Sequence, residues 1–157
     1  MELVAKMEIS KMYPYFAQGQ VVKGFGRGSK ELGIPTANFP DSVVESLPKE
    51  FPSGIYYGWA CVGNSEVFKM VMSVGWNPFY KNTKRTMETH VIHTFKDDFY
   101  GEVLRVCVLG YIRPEMDFTS VDDLITAIKG DIAAAEKNLE EPHNIALKED
   151  NFFTQTV

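Results

Sequence analysis

Apolar and polar residues alternate along the middle of the chain. The clearest run extends from Glu66 to Trp76. In an extended chain its apolar residues share one face, and they are Phe68, Met70, Met72, Val74 and Trp76. Lys69 and Ser73 fall on the opposite face. Because side chains of a strand point alternately to its two faces, this run predicts a strand with one buried face.

The neighbouring segments predict further strands. They read "GQVVKGF" from Gly19, "TANFP", "GIYYGWACVG", "TMETHVIHTF" and "EVLRVCVLGYIR". Gly63 and Asn64 provide turn chemistry, so the "GIYYGWACVG" run and the run after it are expected to form a hairpin. The last segment is apolar at both parities and predicts a central strand. Strands in series without intervening helices indicate an antiparallel sandwich or barrel.

One segment, from Val121 to about Leu139, predicts a helix. Ser120 can cap it, and two aspartates favour its first turn. An apolar stripe three or four residues apart predicts that the helix packs on the sheet, and it comprises Leu124, Ile128, Ile132, Ala135 and Leu139. We expect Pro142 to prevent much extension. The weakly patterned residues 1–14 are expected to form a loose arm of a single domain spanning residues 1–157.

Composition limits the classes of partner and compartment. The chain has 157 residues with 45% hydrophobic and 24% charged residues, and its net charge is −5. A negative chain is not expected to bind nucleic acid, whose phosphates require a basic face. No segment has the ~18 apolar residues of a membrane span, and the N-terminus does not resemble a secretory signal. Cys61 and Cys107 lie in apolar segments and are expected to be buried, reduced thiols of a cytoplasmic protein.

A glycine-rich segment, "GFGRGSKELGIPTANFP", runs from Gly24 to Pro40. It has neither the order of a Walker A loop nor the spacing and context of a dinucleotide fingerprint. Its glycines could turn backbone N–H groups toward an anion. On these residues alone, a hairpin connection and a phosphate site both stay open.

Two oxygen-bearing residues follow the glycines. Thr36 and Asn38 project to the same face of an extended segment, because side chains alternate. A hydroxyl and an amide oxygen are hard ligands of the kind that Mg²⁺ accepts. The alternative is that both side chains make ordinary turn hydrogen bonds.

Glu88 lies inside an otherwise apolar strand segment. A carboxylate in such a position is costly unless it is solvated, paired or used in chemistry. The alternative is a glutamate on an edge strand that faces water. A metal site from Glu88, His90 and His93 is disfavoured, because the two histidines face opposite sides of a regular strand.

Several motifs together resemble the riboflavin kinase family in its monofunctional, eukaryotic form. They are "GFGRGSKELGIPTANFP", "GIYYGWACVG", "SVGWNPFYKN", "METHVIHTF", "DFYGE", "GYIRPEMDF" and "KEDNFF", and they cover the chain from about Tyr15 onward. The resemblance implies an ATP-dependent enzyme that phosphorylates the 5′-hydroxyl of riboflavin to give FMN and ADP. It implies Mg²⁺, with Zn²⁺ or another divalent ion as the alternative. It also implies a closed, six-stranded antiparallel Greek-key β-barrel with a C-terminal α-helix at about 120–139.

The resemblance also implies roles for individual residues. Glu88 matches the catalytic carboxylate, and Thr36 and Asn38 match the pair that holds Mg²⁺. The implied ATP-binding residues are Gly24, Lys30, Thr36, Asn38, Val91, His93 and Tyr100. The implied flavin-binding residues are Arg113, Met116 and Phe118. If Glu88 faces the reaction centre, regular alternation turns His93 away, so a strand end or bulge is expected between them.

Three other functions compete with this interpretation. A non-catalytic flavin-binding barrel would need the aromatic loops but not Thr36, Asn38 and Glu88. The flavin half of a bifunctional FAD synthetase would need a second domain, for which 157 residues leave no room. A purely structural barrel would leave the coincidence of the motifs unexplained. We therefore expect a monomer whose partners are riboflavin and ATP, with no membrane or nucleic acid.

Overall fold

The computed structural model describes residues 12–23, 33–76, 84–96 and 98–154. Within these ranges the chain is mainly β and forms one sheet of six strands in the order β1-β6-β3-β4-β5-β2. The strands are β1 Tyr15–Gln20, β2 Ala37–Asn38, β3 Gly54–Val62, β4 Phe68–Trp76, β5 Arg85–Val91 and β6 Val103–Arg113. Every neighbouring pair is antiparallel. The predicted N-terminal arm lies almost entirely outside the described residues.

The sheet curls into a half-barrel whose two edge strands approach each other at one point. Val22, just after β1, donates its backbone N–H to the carbonyl oxygen of Asn38 in β2 at 3.0 Å. In the described residues this is an isolated bridge and not a ladder. Among the described residues the sheet is thus a half-barrel without a ladder between its edges, and complete closure stays a prediction.

The boundaries of β1 differ from the expectation. The sequence pattern places a strand from Gly19 onward, whereas β1 ends at Gln20 and begins at Tyr15. Pairing with β6 sets these limits, because Tyr15 lies opposite Val108 and Gln20 lies opposite Val103. β1 contains Gln18 and Gln20 and therefore lacks a clear apolar alternation, so the hydrophobic pattern does not predict its limits.

The concave face of the sheet holds the main core. β4 and β5 contribute Met70, Met72, Val74, Met87 and Val91, which pack with Tyr56, Leu104, Val106 and Val108. Trp76 departs from the predicted apolar stripe of β4, since 46% of its surface is exposed at the end of the strand. On the other face of β4, Val71 is buried in a second cluster under the C-terminal helices. The predicted one-sided strand is thus covered on both faces at its centre.

The two C-terminal helices cover the convex face, whereas the short helix before β3 packs against the main core through Val44. The described helices are α1 Asp41–Glu45, α2 Val121–Asn138 and α3 Pro142–Lys148, followed by a 3₁₀ turn at Asn151–Phe153. α2 agrees with the prediction, and the Ser120 hydroxyl accepts the backbone N–H of Asp123 at 3.1 Å. α3 was not predicted, because Pro142 was expected to stop the chain from continuing as a helix. Proline needs no hydrogen-bond acceptor in the first turn, so it begins a second helix instead.

Both cysteines are free and buried, as expected. Burial raises the pKa of the Cys107 thiol to about 12. The described part of the chain contains no helix that is long and apolar enough to cross a membrane.

Thr89 supplies a stability prediction. Its side chain is 1% exposed, and its hydroxyl has no hydrogen-bond partner among the described residues. A Thr89→Val substitution removes this unsatisfied group, so the free energy of unfolding should rise by about 1 kcal/mol in urea denaturation. Thr126→Val is the control, because the Thr126 hydroxyl is exposed and already donates to the Asp122 carbonyl. A loss of stability in Thr89→Val would show that a ligand or solvent satisfies the hydroxyl.

Candidate active site

A cavity of about 530 Å³ lies between the segment that leads into β2 and the chain that follows β5. Five of the residues predicted to bind ATP line it, namely Thr36, Asn38, Val91, His93 and Tyr100. Gly24 and Lys30, the other two, lie outside the described residues. The structure therefore brings together all the described members of the predicted set, although they come from separate parts of the sequence.

Pairing between β2 and β5 positions the oxygen-bearing residues. Asn38 lies opposite Glu88, and Ala37 lies opposite Thr89. The imidazole Nδ1 of His90 lies 2.8 Å from the carbonyl oxygen of Pro35 and donates to it, because a carbonyl oxygen can only accept. This contact fixes the backbone next to Thr36 at the entrance of β2.

Glu88 lies on the convex face of the sheet, beside Asn38. On the neighbouring strand β4, Ser73 lies opposite Glu88, so Asn38, Glu88 and Ser73 form a row across three strands. Because β5 lies between β2 and β4, the alternative of an edge-strand glutamate is wrong. Glu88 does not line the cavity among the described residues, but Asn38, its cross-strand neighbour, does. Burial raises the pKa of Glu88, and the negative charge of Glu115 raises it further.

His93 lines the cavity just beyond the end of β5. The strand stops at Val91, and the backbone N–H of His93 then donates to the Val91 carbonyl at 2.8 Å in a tight bend. The expected strand end between Glu88 and His93 is therefore confirmed. The His93 ring stacks on Phe68 with centroids 4.0 Å apart. This stacking holds the imidazole at the wall of the cavity.

The cavity also has lining residues that were not among the residues predicted to bind ATP. They include Pro35, Thr89, His90, Lys96 and Asp98. Three of them, Pro35, Thr89 and His90, lie inside the "IPTAN" and "METHVIH" segments. Their closeness in sequence to the predicted site residues could have identified them as cavity residues. Tyr100 is half exposed at the opening, and the ammonium of Lys23 lies 5.7 Å from its ring centroid.

The predicted flavin-binding residues lie apart from this cavity, at the last residue of β6 and in the segment that follows it. The Arg113 guanidinium donates from Nε and Nη2 to the two carboxylate oxygens of Asp131 in α2, both at 2.8 Å. Its Nη1 donates to the Pro114 carbonyl at 3.1 Å, and its centre lies 5.7 Å from the Phe118 ring. Met116 is 57% exposed. Arg113 thus anchors an otherwise exposed segment to α2.

A cross-strand row connects the two regions. Arg113 pairs with Ile55, Ile55 pairs with Ser73, and Ser73 pairs with Glu88. Three strand spacings separate Arg113 from Glu88, which corresponds to about 14 Å. The carboxylate and the anchored segment therefore share one surface of the sheet.

Comparison with known proteins assigns this arrangement to a family. The family description "Flavokinase: Riboflavin kinase" matches residues 11–139. Human riboflavin kinase is 64% identical over 140 residues, which cover 89% of this chain and 90% of that protein. The chain belongs to the riboflavin kinase family. The resemblance of the sequence motifs is therefore confirmed over most of the chain.

Other riboflavin kinases extend the comparison. A bifunctional riboflavin kinase/FMN phosphatase from Arabidopsis thaliana is 49% identical over 142 residues, which cover 90% of this chain and 38% of that protein. The crystal structure of riboflavin kinase from Trypanosoma brucei superposes with a TM-score of 0.74 at 29% identity, over 92% of each chain. The mainly β fold with C-terminal helices is thus shared with a solved riboflavin kinase.

Proposed function

We propose that this chain is an ATP-dependent riboflavin kinase, which transfers the γ-phosphate of ATP to the 5′-hydroxyl of riboflavin and gives FMN and ADP. The observation that carries the proposal is the pairing of Asn38 with Glu88 at the margin of the cavity. It sets the cavity, the neutral oxygen donors of Thr36 and Asn38, and a carboxylate with a raised pKa side by side. A non-catalytic flavin-binding barrel would have no use for this combination.

Thr36 and Asn38 would hold the divalent ion. Their donor atoms are neutral hard oxygens, which favour Mg²⁺ over Zn²⁺ with its preference for nitrogen and sulfur ligands. No group of three or more His, Cys, Asp or Glu residues that could hold a metal occurs in the described ranges. The remaining ligands would therefore come from nucleotide phosphates and water. Held by Thr36 and Asn38, Mg²⁺ would supply positive charge that stabilises the transferring phosphoryl group.

Of the other predicted site residues, one set would bind ATP and another would bind riboflavin. Val91, His93 and Tyr100 would contact the nucleotide, together with Gly24 and Lys30 of the glycine-rich segment. Arg113, Met116 and Phe118 would hold the flavin. The ~14 Å between Arg113 and Glu88 leaves room for the isoalloxazine near the anchored segment and for the ribityl chain along the sheet.

Glu88 would orient the 5′-hydroxyl and accept its proton. A base works best when its pKa approaches the working pH, and burial raises the pKa of Glu88 in that direction. Most of the acceleration in phosphoryl transfer comes from positioning and electrostatics. The carboxylate is thus one contributor among several.

The direct test of this function is product formation. The protein is incubated with riboflavin, ATP and Mg²⁺, and FMN is separated from riboflavin by chromatography. We expect FMN to accumulate, and none to form without ATP. Absence of FMN at saturating substrates would favour the flavin-binding module.

Removing the Thr36 hydroxyl should affect the two substrates differently. Thr36→Ala is expected to weaken binding of Mg²⁺-ATP by about 10-fold and to leave riboflavin binding unchanged, since a single metal ligand is lost. Calorimetric titration with each ligand measures both effects. Thr126→Ala is the matched control, because it removes a hydroxyl on exposed α2. Equal losses for both ligands would count against the metal role.

We infer that the sheet closes into a barrel and that its strand order is that of a Greek key. The bridge between Val22 and Asn38 supports closure. The order β6-β3-β4-β5 supports the Greek key, because the fourth strand lies beside the first. We further infer that the protein is a monomer and that it is cytoplasmic. The two buried, free cysteines support the cytoplasmic location, because a reducing compartment keeps thiols unpaired. Light scattering of the purified protein tests the oligomeric state.

A further inference from the structure

The Glu115 carboxylate lies directly over Gly75 of β4. A Cβ atom built on Gly75 would overlap Oε1 of Glu115 and would lie 3.1 Å from its Cδ. Gly75 is buried although it has no side chain of its own. The missing side chain therefore creates the space that the carboxylate occupies on the sheet.

This position brings Glu115 onto the same surface as Glu88. Gly75 and Ser73 share the convex face of β4, and Ser73 lies opposite Glu88. Gly75 is then the diagonal neighbour of Glu88, at about 7–8 Å in a regular antiparallel pair. The influence of Glu115 on the pKa of Glu88 agrees with this closeness.

Within the described residues, no donor compensates the Glu115 carboxylate. The nearest cation in sequence is Arg113, but its guanidinium is committed to Asp131 and to the Pro114 carbonyl. The described ion pairs and hydrogen bonds do not include Glu115. Burial and the neighbouring Asp117 both raise its pKa. Glu115 is exposed, so water solvates its carboxylate in the free protein, and the hydroxyls of a bound ligand can replace that water.

Riboflavin carries such donors in its ribityl chain, whose C2′, C3′ and C4′ each bear a hydroxyl between the ring and the 5′-position. We propose that Glu115 is a substrate-binding residue that accepts hydrogen bonds from these internal hydroxyls and so holds the 5′-hydroxyl against Glu88. The residue lies where the chain must pass, between the segment anchored by Arg113 and the carboxylate of Glu88. This inference rests on the proposed function, since it takes riboflavin as the substrate on this surface.

Two substitutions remove the contact in independent ways. Glu115→Ala deletes the carboxylate, whereas Gly75→Ala leaves Glu115 intact and displaces its flexible end from the sheet. The ligands are riboflavin and an analogue with the same ring and a 5-hydroxypentyl chain, which keeps the terminal hydroxyl and lacks the internal ones. Quenching of flavin fluorescence gives the dissociation constants, and steady-state kinetics gives the KM for ATP.

We expect each variant to bind riboflavin about 10- to 100-fold more weakly, because hydrogen bonds to a charged group are lost. The analogue should bind equally to wild type and to both variants, and the KM for ATP should not change. The double variant should be no weaker than either single variant, because both changes remove one contact.

Other results would overturn the inference. Equal weakening for riboflavin and the analogue would indicate a structural role of the segment, and unchanged riboflavin binding would exclude the contact. Asp117→Ala is the matched control, an exposed carboxylate two residues further along the same segment, and the same loss there would indicate a general charge effect. Failure of the wild type to make FMN would instead refute the proposed function, and that assay is separate from the binding comparison.

Discussion

Glu88→Gln is expected to lower turnover by about 10²- to 10⁴-fold, the usual contribution of a general base. The substitution keeps the shape of the side chain beside Asn38 and removes only its ability to accept a proton. Binding of riboflavin and of ATP should therefore change little. Rapid-quench measurement of FMN formation with both substrates saturating gives the turnover directly.

The pH dependence of the same variant provides a second readout. The pKa of Glu88 is raised by burial and by Glu115, so the wild-type rate should fall on acidification at a pH above the ordinary pKa of a glutamate, which is about 4.3. The variant should lose this acidic limb.

Stability should change in the opposite direction to turnover. A carboxyl whose pKa is raised on folding contributes stability below its unfolded pKa and loses it as the pH rises through the folded pKa. At neutral pH the charge on Glu88 is thus unfavourable to folding, and Glu88→Gln should be at least as stable as wild type. Near-normal turnover in Glu88→Gln would exclude the base role, and Glu136→Gln on exposed α2 is the matched control.

Asp131→Ala is expected to lower the free energy of unfolding by about 3 kcal/mol, because it leaves the half-buried Arg113 guanidinium without its partner. Asp131 is only 5% exposed and accepts two hydrogen bonds from that guanidinium. Affinity for riboflavin should fall as well, since the segment with Met116 and Phe118 loses its attachment to α2. Urea denaturation and fluorescence titration measure the two effects.

An exposed ion pair serves as the comparison for Asp131. Glu140 contacts the Lys69 ammonium at 2.5 Å on the surface, where water screens the pair. Glu140→Ala should leave both stability and riboflavin affinity almost unchanged. If Asp131→Ala and Glu140→Ala lowered the free energy of unfolding equally, burial of the Arg113–Asp131 pair would not contribute to stability.

Local patterns were enough to predict most of the elements. Alternation identified β4, and apolar spacing with a serine cap identified α2, because both depend on residues close in sequence. The sequence pattern does not predict α3, because proline disrupts a helix interior, whereas Pro142 lies in the first turn, where it begins a helix. β1 was misplaced because its pairing with β6, nearly ninety positions away, sets its limits.

The candidate site divides in the same way. The sequence was enough to name Thr36, Asn38 and Glu88 as candidate site residues, because each lies in a short, specific motif. A strand end or bulge between Glu88 and His93 is expected from the roles that the resemblance implies together with alternation, and β5 does end at Val91. The assignment of catalytic and binding roles to these residues stays a prediction for the experiments above.

The sequence by itself determined the mainly β class, the capped C-terminal helix and the motifs that carry the family resemblance, since each depends on short-range order. Only the tertiary structure decided that Asn38 lies opposite Glu88, that Asp131 holds Arg113, and that Gly75 makes room for Glu115. These relations depend on strand register and helix docking between distant segments. No local pattern encodes such a register, because it is the packing of the whole core that selects it.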